Sequence, residues 1–323
     1  MGGPLSVLRI LNLCKSDFES NSDFRSRMFS GMTRNFIRSD QRFSLCHRYF
    51  VENSTLKPFV RYDSIVRRIW GRADTILFIF GGAAAEFALN KAVDWLYYTG
   101  RLPADPIGRL FSTVTYARHI VFSPTEKANA IIDNMRGIHQ TLEANRGQSI
   151  PDWAYRDVLF MLVHYSIAAH EVLYHRLSHQ DRADVFDVFR RVGARMQIKD
   201  LPETYEEWLP VYQSHLEYDL EVTHYTHDLF AQYKKHLGPL RFRILREAQH
   251  LVVPERVRSL LPSGRAPLLK TLLPFYKMSR HLNLDWWLTS ILLPKEYKDK
   301  VKGLNRQSSI FIVNRQSGIV NGR

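Results

Sequence analysis

Only two cysteines, Cys14 and Cys46, occur in 323 residues, and neither sits in a CxxC, CxxCH or zinc-ligand spacing. That excludes a thiolate metal cluster and covalently attached c-type haem, and it suits a reducing, intracellular compartment. The chain also lacks a Walker loop, a dinucleotide glycine fingerprint, HExxH, GxSxG and any kinase signature, so the common enzyme classes have no support. Long apolar runs are missing too. The longest, Ile76 to Ala85, is too short to span a bilayer and contains Gly81 and Gly82, so it reads as a buried core helix. Neither a signal peptide nor a spanning helix is expected. No stretch alternates apolar and polar residues convincingly, and no internal repeat is visible. Strands are not expected, and the class is all-α.

What is abundant is positive charge, +13 in formal net terms, but nine of those charges lie in the first sixty and the last twenty-four residues. The middle is nearly balanced. A protein that reads a phosphate backbone concentrates basic residues on its folded surface, so nucleic acid is not the expected partner. The start, MGGPLS, fits the loose myristoylation pattern. An acyl chain beside a basic arm supplies the two weak signals of peripheral membrane contact, here at an intracellular surface. Hydrophobic residues make up 45% of the chain and aromatics 12%, enough for a substantial core.

Three regions are expected: a basic, weakly ordered arm over 1–60, a helical domain over 61–299 and a basic tail over 300–323. Within the domain the pattern is helical from Tyr62 to about Tyr98 and is broken by Gly100 and Pro103. Asp105-Pro106 is a cap-and-first-turn pair that predicts a helix to about Phe122. Ser123-Pro124-Thr125-Glu126 reads as a capping box opening another, which Gly147 ends. Pro151-Asp152 predicts a helix to about Leu177. Others are expected near 181–196, 204–236 and 239–249, with shorter ones after Pro254 and around Trp286.

Candidate chemistry rests on histidine placement. His139 falls among Ile131, Met135, Ile138 and Leu142 at helical spacing, where a neutral imidazole serves either as an axial ligand to haem iron or as a core histidine satisfied by one hydrogen bond. Spacing alone favours the second. Arg109 and Thr113, four apart, share a helix face and could direct a guanidinium and a hydroxyl at one bound group, or Arg109 could pair with Asp105. His164 is a reserve ligand on the next helix. Glu221-Val-Thr-His224, flanked by Glu217 and His227, is a single ExxH unit on an expected helix. Di-iron proteins need two such units, so a solvated polar face is the better account. His170, His175 and His179 spread round their helix and read as surface residues.

Taken in order, Asp105-Pro-Ile-Gly-Arg109-Leu-Phe-Ser-Thr113, His139 thirty residues after the arginine, Val163-His164, and Leu201-Pro-Glu-Thr-Tyr-Glu-Glu-Trp208 resemble the latex-clearing protein family. Its catalytic domain is shared by bacterial rubber oxygenases and by the fungal oxygenase of the mycophenolic-acid pathway. The resemblance spans roughly residues 62 to 260. It implies a globin-like helical bundle around haem b, in which dioxygen cleaves a carbon–carbon double bond of an isoprenoid chain. By position, His139 would be the proximal iron ligand, Arg109 and Thr113 would line the oxygen-binding face, and His164 would match a family histidine near the cofactor. Rubber oxygenases carry a lysine before that threonine; Ser112 stands here, so long rubber polymer is not the expected substrate. The valine and glycine that follow the family's histidine are also absent from Ile-His139-Gln-Thr-Leu. The reading is therefore a haem-dependent oxygenase acting on a lipophilic prenyl, terpenoid or polyketide-like molecule of secondary metabolism. The alternatives are a di-iron carboxylate oxidoreductase and a non-catalytic helical protein that binds hydrophobic ligands.

Overall fold

The computed structural model describes residues 57–98, 100, 104–261 and 267–280, and among them there are eleven α-helices and no strand. In chain order they are α1 (Ile65–Trp70), α2 (Ala73–Phe87), α3 (Asp94–Tyr98), α4 (Pro106–Phe122), α5 (Thr125–Arg146), α6 (Asp152–Leu173), α7 (His179–Arg195), α8 (Tyr205–Tyr218), α9 (His224–Val252), α10 (Glu255–Leu260) and α11 (Pro267–Arg280). The class is all-α, as expected. Cys14, Cys46, the Gly-Gly start, the carboxy-terminal tail and the helix expected at Trp286 lie outside the described residues.

Punctuation in the sequence sets most boundaries. Asp105 Oδ1 accepts from Gly108 N at 2.8 Å while Pro106 occupies the first turn of α4. Gly147 ends α5 in the left-handed region at φ 68°, where a side chain would be strained. Gly238, at φ 74° and followed by Pro239, kinks α9 where a break between two helices is expected. The box expected at Ser123 to Glu126 does not form. Pro124 is itself the cap and makes no side-chain bond, so α5 starts one residue later. The expected helix over 62–98 is four pieces, including a 3-10 turn at Lys91–Val93. That over 204–236 is interrupted at residues 219–223, because Thr223 caps α9 through a reciprocal bond with Thr226.

The core is organised on α2, which packs against α6 and α9; α6 in turn packs on α7, and α4 pairs with α5. Trp70, Ile69, Ile79, Phe160 and Trp208 are fully enclosed, each worth about 1.5–3 kcal/mol of burial. Pro58 to Val60 already belong to this unit. Phe59 and Val60 are buried, and their carbonyls accept from Arg191 and Arg67 at 2.9 and 2.8 Å.

The small residues of α2 have a specific purpose. A Cβ added at Gly82 would lie 2.2 Å from the ring of Tyr165 on α6, so glycine is what lets that ring lie against the α2 backbone. Gly82→Ala would gain about 1 kcal/mol of helix propensity and force apart two packed helices, which costs more. The expected net loss is about 1–3 kcal/mol in urea unfolding, read as a lower midpoint with an unchanged slope.

Candidate functional site

The loop between α4 and α5 is only Ser123-Pro124, so the two helices form an antiparallel hairpin. Arg109 is about fourteen residues before that loop and His139 about fifteen after it. At 1.5 Å per residue both lie roughly 21 Å from the turn, at the same height on neighbouring helices. The positive charge of Arg109 is accordingly felt at His139.

His139 is half-buried, and its Nδ1 lies 2.9 Å from the carbonyl of Met135. A carbonyl can only accept, so Nδ1 carries the proton and Nε2 keeps the lone pair. Burial, and then Arg109, lower its pKa against the opposing effect of the Met135 bond, which keeps the ring neutral at neutral pH. Tyr155 of α6 meets the imidazole edge-on at 5.3 Å. Ala128 and Ile132 are the fully buried positions of α5, whereas Ile138, expected on the inward face, is 51% exposed. The end of α5 that carries His139 is thus more loosely covered than its start.

Across the hairpin, Arg109 Nη1 donates to Ser112 Oγ at 3.1 Å and to Thr113 Oγ1 at 3.3 Å. Ser112 Oγ is itself anchored to the carbonyl of Arg109 at 2.7 Å. Two hydroxyls one turn along the helix therefore hold the guanidinium against α4. Asp105 spends one carboxylate oxygen on capping the helix.

His164 occupies different surroundings. Its ring stacks on Tyr212 at 5.0 Å and meets Tyr165 edge-on at 4.9 Å, and its Nε2 is buried without a hydrogen bond. Burial lowers its pKa, opposed by the charge of Glu86. It thus adjoins a buried polar network that sequence reasoning missed. Glu86, at the end of α2, has no access to solvent; its Oε2 accepts from Tyr165 Oη at 2.7 Å and Tyr212 Oη at 2.9 Å, and its Oε1 lies 3.1 Å from His215 Nε2. On the other side of that ring, Asp157 Oδ2 is 2.9 Å from His215 Nδ1 and accepts from Asn90 Nδ2 at 2.8 Å. Burial opposes charge on His215, but the carboxylates of Asp157 and Glu86 prevail and raise its pKa to about 10. Burial likewise holds the phenols of Tyr165 and Tyr212 protonated, as donors to a carboxylate must be. One signal was legible: Glu86 is the single charge within the apolar stretch Ile76 to Leu89. Its partners, dispersed over residues 90 to 219, carried none.

The structure does not bring the candidate ExxH residues together as a ligand set. Glu217 lies on α8, Glu221 in the following loop, and His224 and His227 in the first turn of α9, all exposed. A polar face is what they form. His175 and His179 are exposed as expected, but His170 is not; it is 4% exposed and stacked on Tyr174 at 4.9 Å.

A model of one protein family, described as ER-bound oxygenase mpaB/B'/Rubber oxygenase, catalytic domain, matches residues 67–300. The chain belongs to that family. It is an oxygenase catalytic domain, and both α4 and α5, with Arg109, Thr113 and His139, fall inside the matched segment, as does the Glu86 network. Comparison with curated proteins and with solved structures gave no match. Within this mpaB/rubber-oxygenase domain, no helix among the described residues is long and apolar enough to cross a membrane.

The burial of His170 has a consequence for stability. Burial, and then the charges of His175, Arg72 and Arg68, lower its pKa to about 4, and neither ring nitrogen has a hydrogen bond. The unfolded chain takes up this proton near pH 6.5 while the folded one refuses it, so stability is intact above pH 6.5 and falls as pH drops toward about 4. At 1.36 kcal/mol per pH unit the loss reaches at most about 3 kcal/mol. His170→Leu is expected to remove that component, flattening the acid limb of unfolding midpoints measured from pH 7 to 4.

Proposed function

We propose that this oxygenase uses haem b and dioxygen to cleave a carbon–carbon double bond in a lipophilic prenyl, terpenoid or polyketide-like molecule, a reaction of secondary metabolism. The observation that supports this most directly is the state of His139. Its Nδ1–H is engaged by a backbone carbonyl, its Nε2 keeps a lone pair, and its surroundings keep it neutral. A carbonyl partner on the far nitrogen, fixing the tautomer, is the arrangement that suits an axial ligand. The residues present therefore fit the porphyrin iron that the family resemblance implies.

Haem, when bound, supplies the activation of dioxygen. The chain supplies the rest. His139 Nε2 would hold the iron. Arg109, kept in place by the Ser112 and Thr113 hydroxyls, offers a fixed positive charge and N–H donors on the same level of the hairpin, where they stabilise negative charge developing on oxygen without having to reorganise. Ser112, in place of the rubber enzymes' lysine, contributes a short neutral group bonded to Arg109, in keeping with a small substrate rather than a polymer. His164, enclosed by Tyr165 and Tyr212, is assigned a supporting part in holding the cofactor on the family resemblance. Contact with an intracellular membrane through the basic amino-terminal arm belongs to the same proposal and would bring the domain to its lipophilic substrate.

Full-length protein expressed with a haem precursor is expected to be coloured, with an intense Soret band and one haem per chain. His139→Ala should abolish haem retention while His164→Ala keeps most of it. A colourless preparation despite haem supply, or loss in the second variant with retention in the first, would overturn the assignment. Arg109→Ala should retain haem and lower oxygen consumption with a polyprenyl alkene by about 10²-fold or more, the usual effect of removing one charge-stabilising donor.

A further inference from the structure

We propose that Asp157, His215 and Asp219 form a second site, separate from the hairpin of Arg109 and His139, that takes one divalent first-row transition ion such as Zn²⁺. One ligand atom from each of the three lies within 4.8 Å of the others. Asp157 comes from α6, His215 from the last turn of α8 and Asp219 from the cap that follows it, so the ion would join two helices across a buried gap.

The pointer to an ion is the imidazole. His215 is 3% exposed, and its Nε2 is committed to Glu86 Oε1 at 3.1 Å. Its Nδ1 is ion-paired with the acidic pair, 2.9 Å from Asp157 Oδ2 and 3.6 Å from Asp219 Oδ2, without a well-aligned hydrogen bond to either oxygen. Two donors on a tetrahedral zinc ion, each about 2.1 Å from it, are about 3.4 Å apart, a spacing that these two distances bracket. A carboxylate on the far nitrogen of a ligating histidine is the usual outer partner, fixing the ring and raising its basicity, and Glu86 is placed for that. Asn90 does the same for Asp157 through its Nδ2 at 2.8 Å.

Charge points the same way. Three carboxylates, Glu86, Asp157 and Asp219, face one imidazole; Tyr165 and Tyr212 contribute only neutral donors, and the nearby cation Lys91 directs its Nζ to the carbonyl of Tyr218 at 2.7 Å while acting on Asp219 from a distance. Even with both ring nitrogens of His215 protonated the group is net negative, in a setting where uncompensated charge is costly. A divalent ion entering as the Nδ1 proton leaves to solvent brings the group closer to neutrality. The mixed nitrogen and oxygen donors favour zinc and its neighbours over calcium or magnesium, which prefer oxygen alone. Asp219, whose side chain is 29% exposed, marks the side from which an ion would enter and where a water would complete the coordination.

The test uses the full-length protein as purified, stripped of adventitious metal with a chelator and then titrated with Zn²⁺ or, in parallel, Ca²⁺. Element analysis after desalting is expected to give one zinc per chain, with a Tm several degrees higher at saturating zinc and no shift with calcium. Asp219→Asn keeps the shape of the least enclosed ligand and should fold. It should lose at least tenfold in zinc affinity and most of the Tm shift, while its helical circular-dichroism spectrum is unchanged. His175→Gln, at an exposed histidine outside the cluster, should bind zinc as the parent does. Absence of zinc uptake, equal affinity in Asp219→Asn, loss in His175→Gln, or an equal response to calcium would each overturn the site. Because the readouts are zinc content and Tm, the result does not depend on the haem assignment.

Discussion

The carboxylate of Glu86, sealed from water at the end of α2, constrains how the central helices meet. A buried ionised group costs several kcal/mol unless its lone pairs are taken up by donors of good geometry. Here the donors are Tyr165 from α6 and Tyr212 and His215 from α8, so the carboxylate is tolerated only when three helices arrive in one register. The glycine four residues earlier makes this possible, since Tyr165 reaches Glu86 by lying over Gly82. A small residue and a charged one, one turn apart on α2, thus define a single packing arrangement. The apolar residues around them supply most of the burial energy but would accept several arrangements; the polar network selects one.

The α4–α5 hairpin is built on the opposite economy. Its start is tied into the core through Ala128 and Ile132, and its far end carries half-buried Arg109 and His139, each oriented by side-chain bonds within its own helix. A ring held by a carbonyl one turn away is oriented through one nitrogen, and the Nε2 lone pair of His139 is kept. The Glu86 network by contrast commits nearly all of its donors to the protein, with His215 Nδ1 as the exception. The two polar centres differ in kind for that reason.

Helix boundaries were legible wherever a residue acts on its own backbone. Asp105, Pro106, Gly147 and Gly238 behave as their chemistry dictates because caps, proline rings and left-handed glycines depend on a few neighbouring atoms. Pro124 preempted the serine cap expected at Ser123, and Thr223 started a helix inside a stretch whose periodicity ran on through it. Periodicity also misplaced Ile138 and His170. A helical stripe says which residues share a face, but how far that face is covered depends on the next helix, and among the described residues α5 is fully buried only in its first half, at Ala128 and Ile132.

The amino-acid sequence by itself determined the all-α class, most helix ends, the likeness to the oxygenase family, and the helix face that Arg109 and Thr113 share, all properties of short segments or of residue order. That Arg109 and His139 come level with one another follows from the two-residue loop that the structure shows between their helices and from the fixed helical rise. Tertiary structure alone decided that Glu86, Asp157, His215 and Asp219 share one centre, that His164 is walled by two tyrosines, and that the ExxH residues disperse over two helices and a loop. Those residues are separated by up to 133 positions in the chain, and no local interaction relates them. They meet because burying α2 leaves one carboxylate to satisfy, and only helices far along the sequence carry the groups that can do it.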